Sequence, residues 1–167
     1  MKTVNRLLLA ACLVLPFAAC KKNEEAAAPV VAAPLSAPTT ADDGEWKKYL
    51  QDVVTRNMGN ITNSPFVYYL PAKAEGESDE EYQGKYDRQL EQASNAMARG
   101  VVAGNLIAFA SPDSAKMADL ITTSFKDVPP DAMKGVRILF IGAEADNERV
   151  KAVVAPTGVD YVFVEAK

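Results

Sequence analysis

Residues 105–114 read Asn-Leu-Ile-Ala-Phe-Ala-Ser-Pro-Asp-Ser, and this stretch decides the fold. Its first six residues (NLIAFA, 105–110) are a nearly unbroken apolar run, too short for a helix and bounded by a turn signal. That is the pattern of a strand buried on both faces. Ser111-Pro112 then offers an N-cap and a proline at the first helical position. Met117, Leu120, Ile121 and Phe125 follow at three- and four-residue spacing and make one apolar helix face, which Pro129-Pro130 closes. A second apolar run, 136–141 (VRILFI), is interrupted only by Arg137 and followed by Gly142. A strand, a helix of ten or more residues and another strand predict a parallel pair joined by a right-handed crossover.

The alternation extends in both directions. Upstream, Asp42 and Glu45 have the spacing of a capping box, and Trp46, Tyr49, Leu50, Val53, Val54 and Met58 give a helix over about 44–58. Pro65 and Pro71 bracket a strand at 66–70 (FVYYL). Ser78 and Glu81 form a second capping box ahead of the longest helix, about 79–102. Downstream, a helix over about 145–155 stops at Pro156-Thr157-Gly158, and 159–165 (VDYVFVE) is the last strand. The expected fold is α/β: a small three-layer sandwich with about four mostly parallel strands alternating with four helices. The working strand order is 2-1-3-4, and a thioredoxin-like sheet with one antiparallel strand is the alternative.

Composition narrows the function. The 167 residues are 49% hydrophobic and carry 18 Lys+Arg against 22 Asp+Glu, enough apolar content for one ordinary domain. There is no His, which excludes a Ser-His-Asp triad, a His-ligated metal and a His pH switch.

The first twenty residues carry an address. Lys2 and Arg6 precede an apolar run of nine residues, 7–15 (LLLAACLVL). A bilayer span needs about 20 residues, so this is the core of a signal peptide. Phe17-Ala18-Ala19-Cys20 follows. Over residues 1–20 the chain resembles bacterial lipoproteins, whose lipobox is an aliphatic residue, two small residues and a Cys; Phe17 stands where the family usually has Leu. The resemblance implies cleavage of 1–19 between Ala19 and Cys20, a diacylglycerol thioether on the Cys20 sulfur and an acyl group on its new amine. Lys21, rather than Asp, after the Cys implies by analogy the outer membrane, facing the periplasm. Cys12 leaves with the signal, so Cys20 is the one thiol of the mature chain and no intrachain disulfide is expected.

Residues 20–43 are rich in Ala and Pro and are expected to be a disordered tether reaching about 70 Å at about 3.1 Å per residue. The globular domain is expected over 44–167. Loss of Lys2 and Arg6 leaves 16 basic against 22 acidic residues, a net charge of −6. An acidic domain suits neither nucleic acid nor anionic lipid. The expected partners are the membrane, through the lipid on Cys20, and a protein.

Ligands of open parallel sheets sit beyond the carboxyl ends of the strands. There Ser111, Asp113 and Ser114 offer hydroxyls and a carboxylate at a helix start, where they either bind an anion or cap the helix. Glu144, Asp146 and Asn147 follow Gly142 at the place of a dinucleotide fingerprint, with one glycine of the three needed. Helix capping by Asp146 or Asn147 is the better reading. Asp113 and Glu144 would be a general acid-base pair, though their spacing does not require it. Glu75, Glu77, Asp79, Glu80 and Glu81 offer carboxylates for calcium or, better, a solvated helix start. Trp46, Tyr49, Phe66, Tyr68 and Tyr69 are either core or an exposed protein-binding patch. Neither a cofactor nor a metal is expected. Two functions compete. One is a tethered module that binds a protein, as an accessory subunit or as an inhibitor or immunity factor. The other is a small-ligand binder or enzyme using a concave pocket between the first and third strands.

Overall fold

The computed structural model describes residues 33–167, which form one compact unit. Ala19, Cys20 and the rest of the proposed signal and lipidation segment lie outside the described residues, as does the tether up to residue 32. The elements are α1 (Asp43–Asn57), β1 (Phe66–Tyr69), α2 (Asp79–Arg99), β2 (Leu106–Ala110), α3 (Ser114–Ser124), β3 (Arg137–Gly142), α4 (Glu144–Val154), a single 3-10 turn (Ala155–Thr157) and β4 (Asp160–Glu165). The fold is a three-layer α/β sandwich of four strands and four helices, as the alternating pattern predicts.

The sheet runs β1-β2-β3-β4 with every pair parallel. This corrects the working order 2-1-3-4, and no strand of the sheet is antiparallel. Each right-handed crossover steps one strand in the same direction, so α2, α3 and α4 fall on one face and α1 alone covers the other. The order 2-1-3-4 would have sent α2 to the face of α1. There Trp46, Tyr49, Leu50, Val53 and Val54 of α1 already bury Leu106, Ala108, Ala110, Leu139 and Ile141 of β2 and β3. The opposite core joins Ile107, Phe109, Ile138 and Phe140 to Met97, Met117, Leu120, Ile121, Val150 and Val154. β2 and β3 are buried on both faces, which is why their sequences are nearly continuous apolar runs.

Two element ends differ from expectation for local reasons. α2 stops at Arg99, not near 102, because Gly100 adopts φ 82°, a left-handed conformation that leaves the helix. α3 starts at Ser114 with Asp113 as its N-cap, not at Ser111-Pro112. The Ser111 hydroxyl instead accepts the Asp113 N–H at 3.0 Å, an early turn that holds Asp113 outside the helix.

Residues 33–42 of the expected tether lie along α1. The Leu35 N–H donates to Asp52 (3.1 Å), the Ala37 N–H to the Lys167 carbonyl (3.2 Å), and the Trp46 indole to the Thr40 carbonyl (2.9 Å). Among the described residues no helix is long and apolar enough to cross a membrane.

Candidate functional site

The strand carboxyl ends come first, because the sequence places its candidates there. Ser114, at the first turn of α3, donates its hydroxyl to Asp146 Oδ2 at 2.6 Å and accepts the Ala143 N–H at 2.8 Å. Asp146 Oδ1 takes two bonds from Arg149, at 3.0 and 2.8 Å, and Arg149 reaches on to Asp119 at 2.5 Å and to the Ala115 carbonyl at 2.8 Å. The Asp119 and Asp146 carboxylates push the Arg149 guanidinium further toward its charged form. Ser114, Asp146 and Arg149 thus bolt the start of α3 to α4.

The other candidates are also occupied. Ser111 is buried and holds the Asp113 N–H. Asp113 Oδ1 accepts the Lys116 N–H at 3.1 Å as the cap of α3. Glu144 accepts from Asn147 at 3.2 Å, and Asn147 Oδ1 accepts the Tyr161 hydroxyl at 3.0 Å. The expected capping by Asp146 or Asn147 does not occur: the N-cap of α4 is Ala143, which makes no side-chain cap bond. The missing partner comes from another helix, since Ser114 takes the Ala143 N–H. Gly142 sits where it does because a Cβ there would fall 2.6 Å from Ser114 Oγ and 2.5 Å from the Phe140 ring. It is a close-approach glycine, not a phosphate-loop one.

Topology bears on the ligand reading as well. A crevice opens at a strand's carboxyl end where the winding reverses. This sheet winds one way throughout, and β2 lies between β1 and β3. β2 thus separates the two strands between which the ligand reading places its pocket.

Three of the five acids of the 75–81 segment are engaged where α2 starts. Ser78 and Glu81 make both bonds of a capping box, Glu77 pairs with Lys85 at 2.7 Å, and Asp79 pairs with Lys73 at 2.5 Å. The bonds from Lys85, from Lys73 and from the Ser78 backbone hold the carboxyls of Glu77, Asp79 and Glu81 respectively below the usual carboxylate range. Among the described residues no three His, Cys, Asp or Glu side chains are grouped to hold a metal.

Among the described residues, two of the four exposed large hydrophobic side chains are on β1, the others being Leu35 and Val102. Of the five candidate aromatics, Trp46 and Tyr49 are buried under α1, whereas Phe66 is 55% exposed, with Val67 beside it at 46%. Side chains alternate across the strand, so Phe66 and Tyr68 face the α2 side, and Val67 and Tyr69 the α1 side. Each side has its own hollow. One, about 290 Å³, lies between the start of β1 and the end of α2; Phe66, Tyr68, Ala96, Arg99, Val101, Val102 and Ile107 line it. The other, about 380 Å³, lies between β1 and α1; Lys47, Leu50, Gln51, Val54, Thr55, Pro65, Val67 and Tyr69 line it. Tyr68 stacks on Phe109 and Tyr69 on Trp46, so the floor of both hollows is fixed by the core. Among the described residues Arg99 has no carboxylate within ion-pair distance.

The backbone of the β1 edge is blunted. Leu70 donates to Ala110, so even-numbered residues of β1 bond to β2 and odd-numbered ones point outward. The outward positions are Pro65, Val67, Tyr69 and Pro71, and the two prolines have no N–H to offer. Gln89 of α2 lies 3.4 Å from the Tyr69 carbonyl. This edge invites side chains into its hollows and resists an added strand.

Set against known protein families, curated proteins and solved structures, the chain matches none of them.

Proposed function

We propose that the protein is an exported, lipid-anchored envelope protein whose α/β domain binds a protein partner through the β1 edge. The anchor reading rests on the charged start, the nine-residue apolar run and Ala18-Ala19-Cys20; the periplasmic face of the outer membrane rests on Lys21. The binding reading is carried by one observation: Phe66 and Val67, consecutive on an edge strand, stand exposed on its two faces, each lining an apolar-floored hollow. Contiguous apolar surface rimmed by polar groups is the mark of a recognition site. Arg99 on the rim of the α2-side hollow favours a partner that brings apolar side chains flanked by an acid.

The test is a photo-crosslinking side chain placed at Val67 in the native envelope, with Cys20→Ser as the mislocalised control. One discrete adduct that needs the lipidation cysteine, and that Phe66→Asp abolishes, supports the reading. Crosslinking no stronger than that from an exposed residue on α4, such as Glu148, refutes it.

A further inference from the structure

The two edges of the sheet are not alike, and the difference points to a second copy of this chain. On β4, Asp160 donates to the Val136 carbonyl and Ala166 to the Gly142 carbonyl, so even-numbered residues bond to β3. Tyr161, Phe163 and Glu165 therefore turn their N–H and C=O groups outward, and among the described residues nothing bonds to them. β4 has no proline and six consecutive strand residues. None of the devices that blunt the β1 edge is present.

We propose that β4 pairs antiparallel with β4 of a second copy about a two-fold axis at Phe163, giving one continuous eight-stranded sheet. A two-fold axis perpendicular to the sheet keeps each face on its own side, so only residues of like parity can stand opposite. Centred on Phe163, the register sets Phe163 against Phe163 and Tyr161 against Glu165. All are outward-facing positions, and such pairs exchange two hydrogen bonds each. The three free donors and three free acceptors of one copy meet those of the other with none left over. Asp160 falls opposite Ala166 and Glu165 opposite Tyr161, so no like charges are juxtaposed. A register shifted one residue toward Lys167 would need the Lys167 carbonyl, which Ala37 already occupies.

The same axis places both α1 layers on one side of the extended sheet. The described residues begin at Ala33, along α1, so this end of both copies lies on that side. Anchorage of both copies in one membrane raises the effective concentration for pairing. This last point rests on the anchor reading; the strand pairing does not. The β1 hollows lie on the far edges of both copies and stay open.

The experiment is sedimentation equilibrium of the full-length lipidated protein in detergent, with amide hydrogen exchange on the same samples. The expected results are a dimer mass and protection of the Phe163 N–H that rises with protein concentration. Glu165→Pro removes an N–H that β3 does not use and is expected to weaken the dimer at least tenfold, while Glu165→Ala leaves it unchanged. If Glu165→Pro loses its far-UV dichroism, the Phe163 amide of the unaltered protein decides alone. A monomer at all concentrations, or a dimer in which the Phe163 amide exchanges freely, overturns the proposal. Loss of the Val67 crosslink with the dimer intact would strike at the β1 reading instead.

Discussion

Replacing Ser114 with Ala tests whether the strand-end cluster is a bolt or a reactive site. The substitution removes a hydroxyl that donates to Asp146 at 2.6 Å and accepts the Ala143 N–H at 2.8 Å. A bond to a charged group contributes about 1.5 kcal/mol at the low end of its range, fitting here because Asp146 keeps Arg149. The neutral bond contributes about 0.5–1 kcal/mol, since Ala143 is exposed and water replaces Ser114 there. The expected loss is about 2 kcal/mol. For a unit of about 135 residues the entropy of unfolding is about 0.28 kcal/mol/K, so the melting temperature should fall by about 7 °C. Urea unfolding of the unlipidated Cys20→Ser chain measures this as a lower midpoint at unchanged slope. Adding Asp146→Ala should then cost less than it does alone, with a coupling above about 0.5 kcal/mol. A loss below about 0.5 kcal/mol, or strict additivity with Asp146→Ala, would refute the bolt and return Ser114 to the candidates for chemistry.

Other expectations follow from the same contacts. Gly142→Ala places a Cβ 2.5 Å from Phe140 and 2.6 Å from Ser114 Oγ, and should cost about 2–3 kcal/mol by thermal unfolding; combining it with Ser114→Ala should recover part of that loss. Arg137→Met removes the bond to the Asn57 carbonyl at the end of α1 (2.7 Å) together with the Asp160 pair, and should cost about 2 kcal/mol in urea. Asp160→Asn should cost under about 1 kcal/mol, because Asp160 is largely exposed. Stability should be flat from about pH 6 to 9, since the chain has no His. The lowered carboxyls of Asp43, Asp52, Glu77, Asp79 and Glu81 stabilise the fold above their ordinary value near 4, and that contribution goes as pH falls through their lower folded values. Burial raises the Tyr69 and Tyr161 hydroxyls, so stability should fall again as pH climbs past about 10; dichroism-monitored titration in both directions checks each limb.

The alternation of apolar runs and helix stripes carries the architecture, because a parallel pair has few ways to be joined. What it does not carry is the direction in which successive crossovers step. That depends on which helix finds room on which face, a contest settled by α1 against β2 and β3. A signal was present all the same. Pro65 and Pro71 both fall on the outward parity of 66–69, which marks β1 as an edge and excludes it from the middle of the sheet. Asp113 lost to Ser111-Pro112 in the reading because both are sound helix starts, and only the backbone turn at Asp113 separates them. The cap of α4 was illegible for a different reason. The N-cap, Ala143, gives its N–H to Ser114 on another helix, and no local window contains both ends of that bond. The β1 surface was half legible: the aromatics stood out, but not that Trp46 and Tyr49 turn inward while Phe66 stays out.

The one-way winding of the sheet also sets an order of assembly as the chain emerges, amino end first, on the side of the membrane where it folds. Each βα unit adds to an edge that already exists, so every strand can dock as it emerges. α1 cannot follow that schedule. It is made first, yet its apolar stripe packs on β3 as well as β2, and β3 is complete only at Gly142. At about 5–20 residues per second, the 85 residues from Asn57 to Gly142 take about 4–17 seconds to synthesise. For that interval Trp46, Tyr49, Leu50, Val53 and Val54 have only part of their cover, which makes the first helix the segment a chaperone of the emerging chain would find.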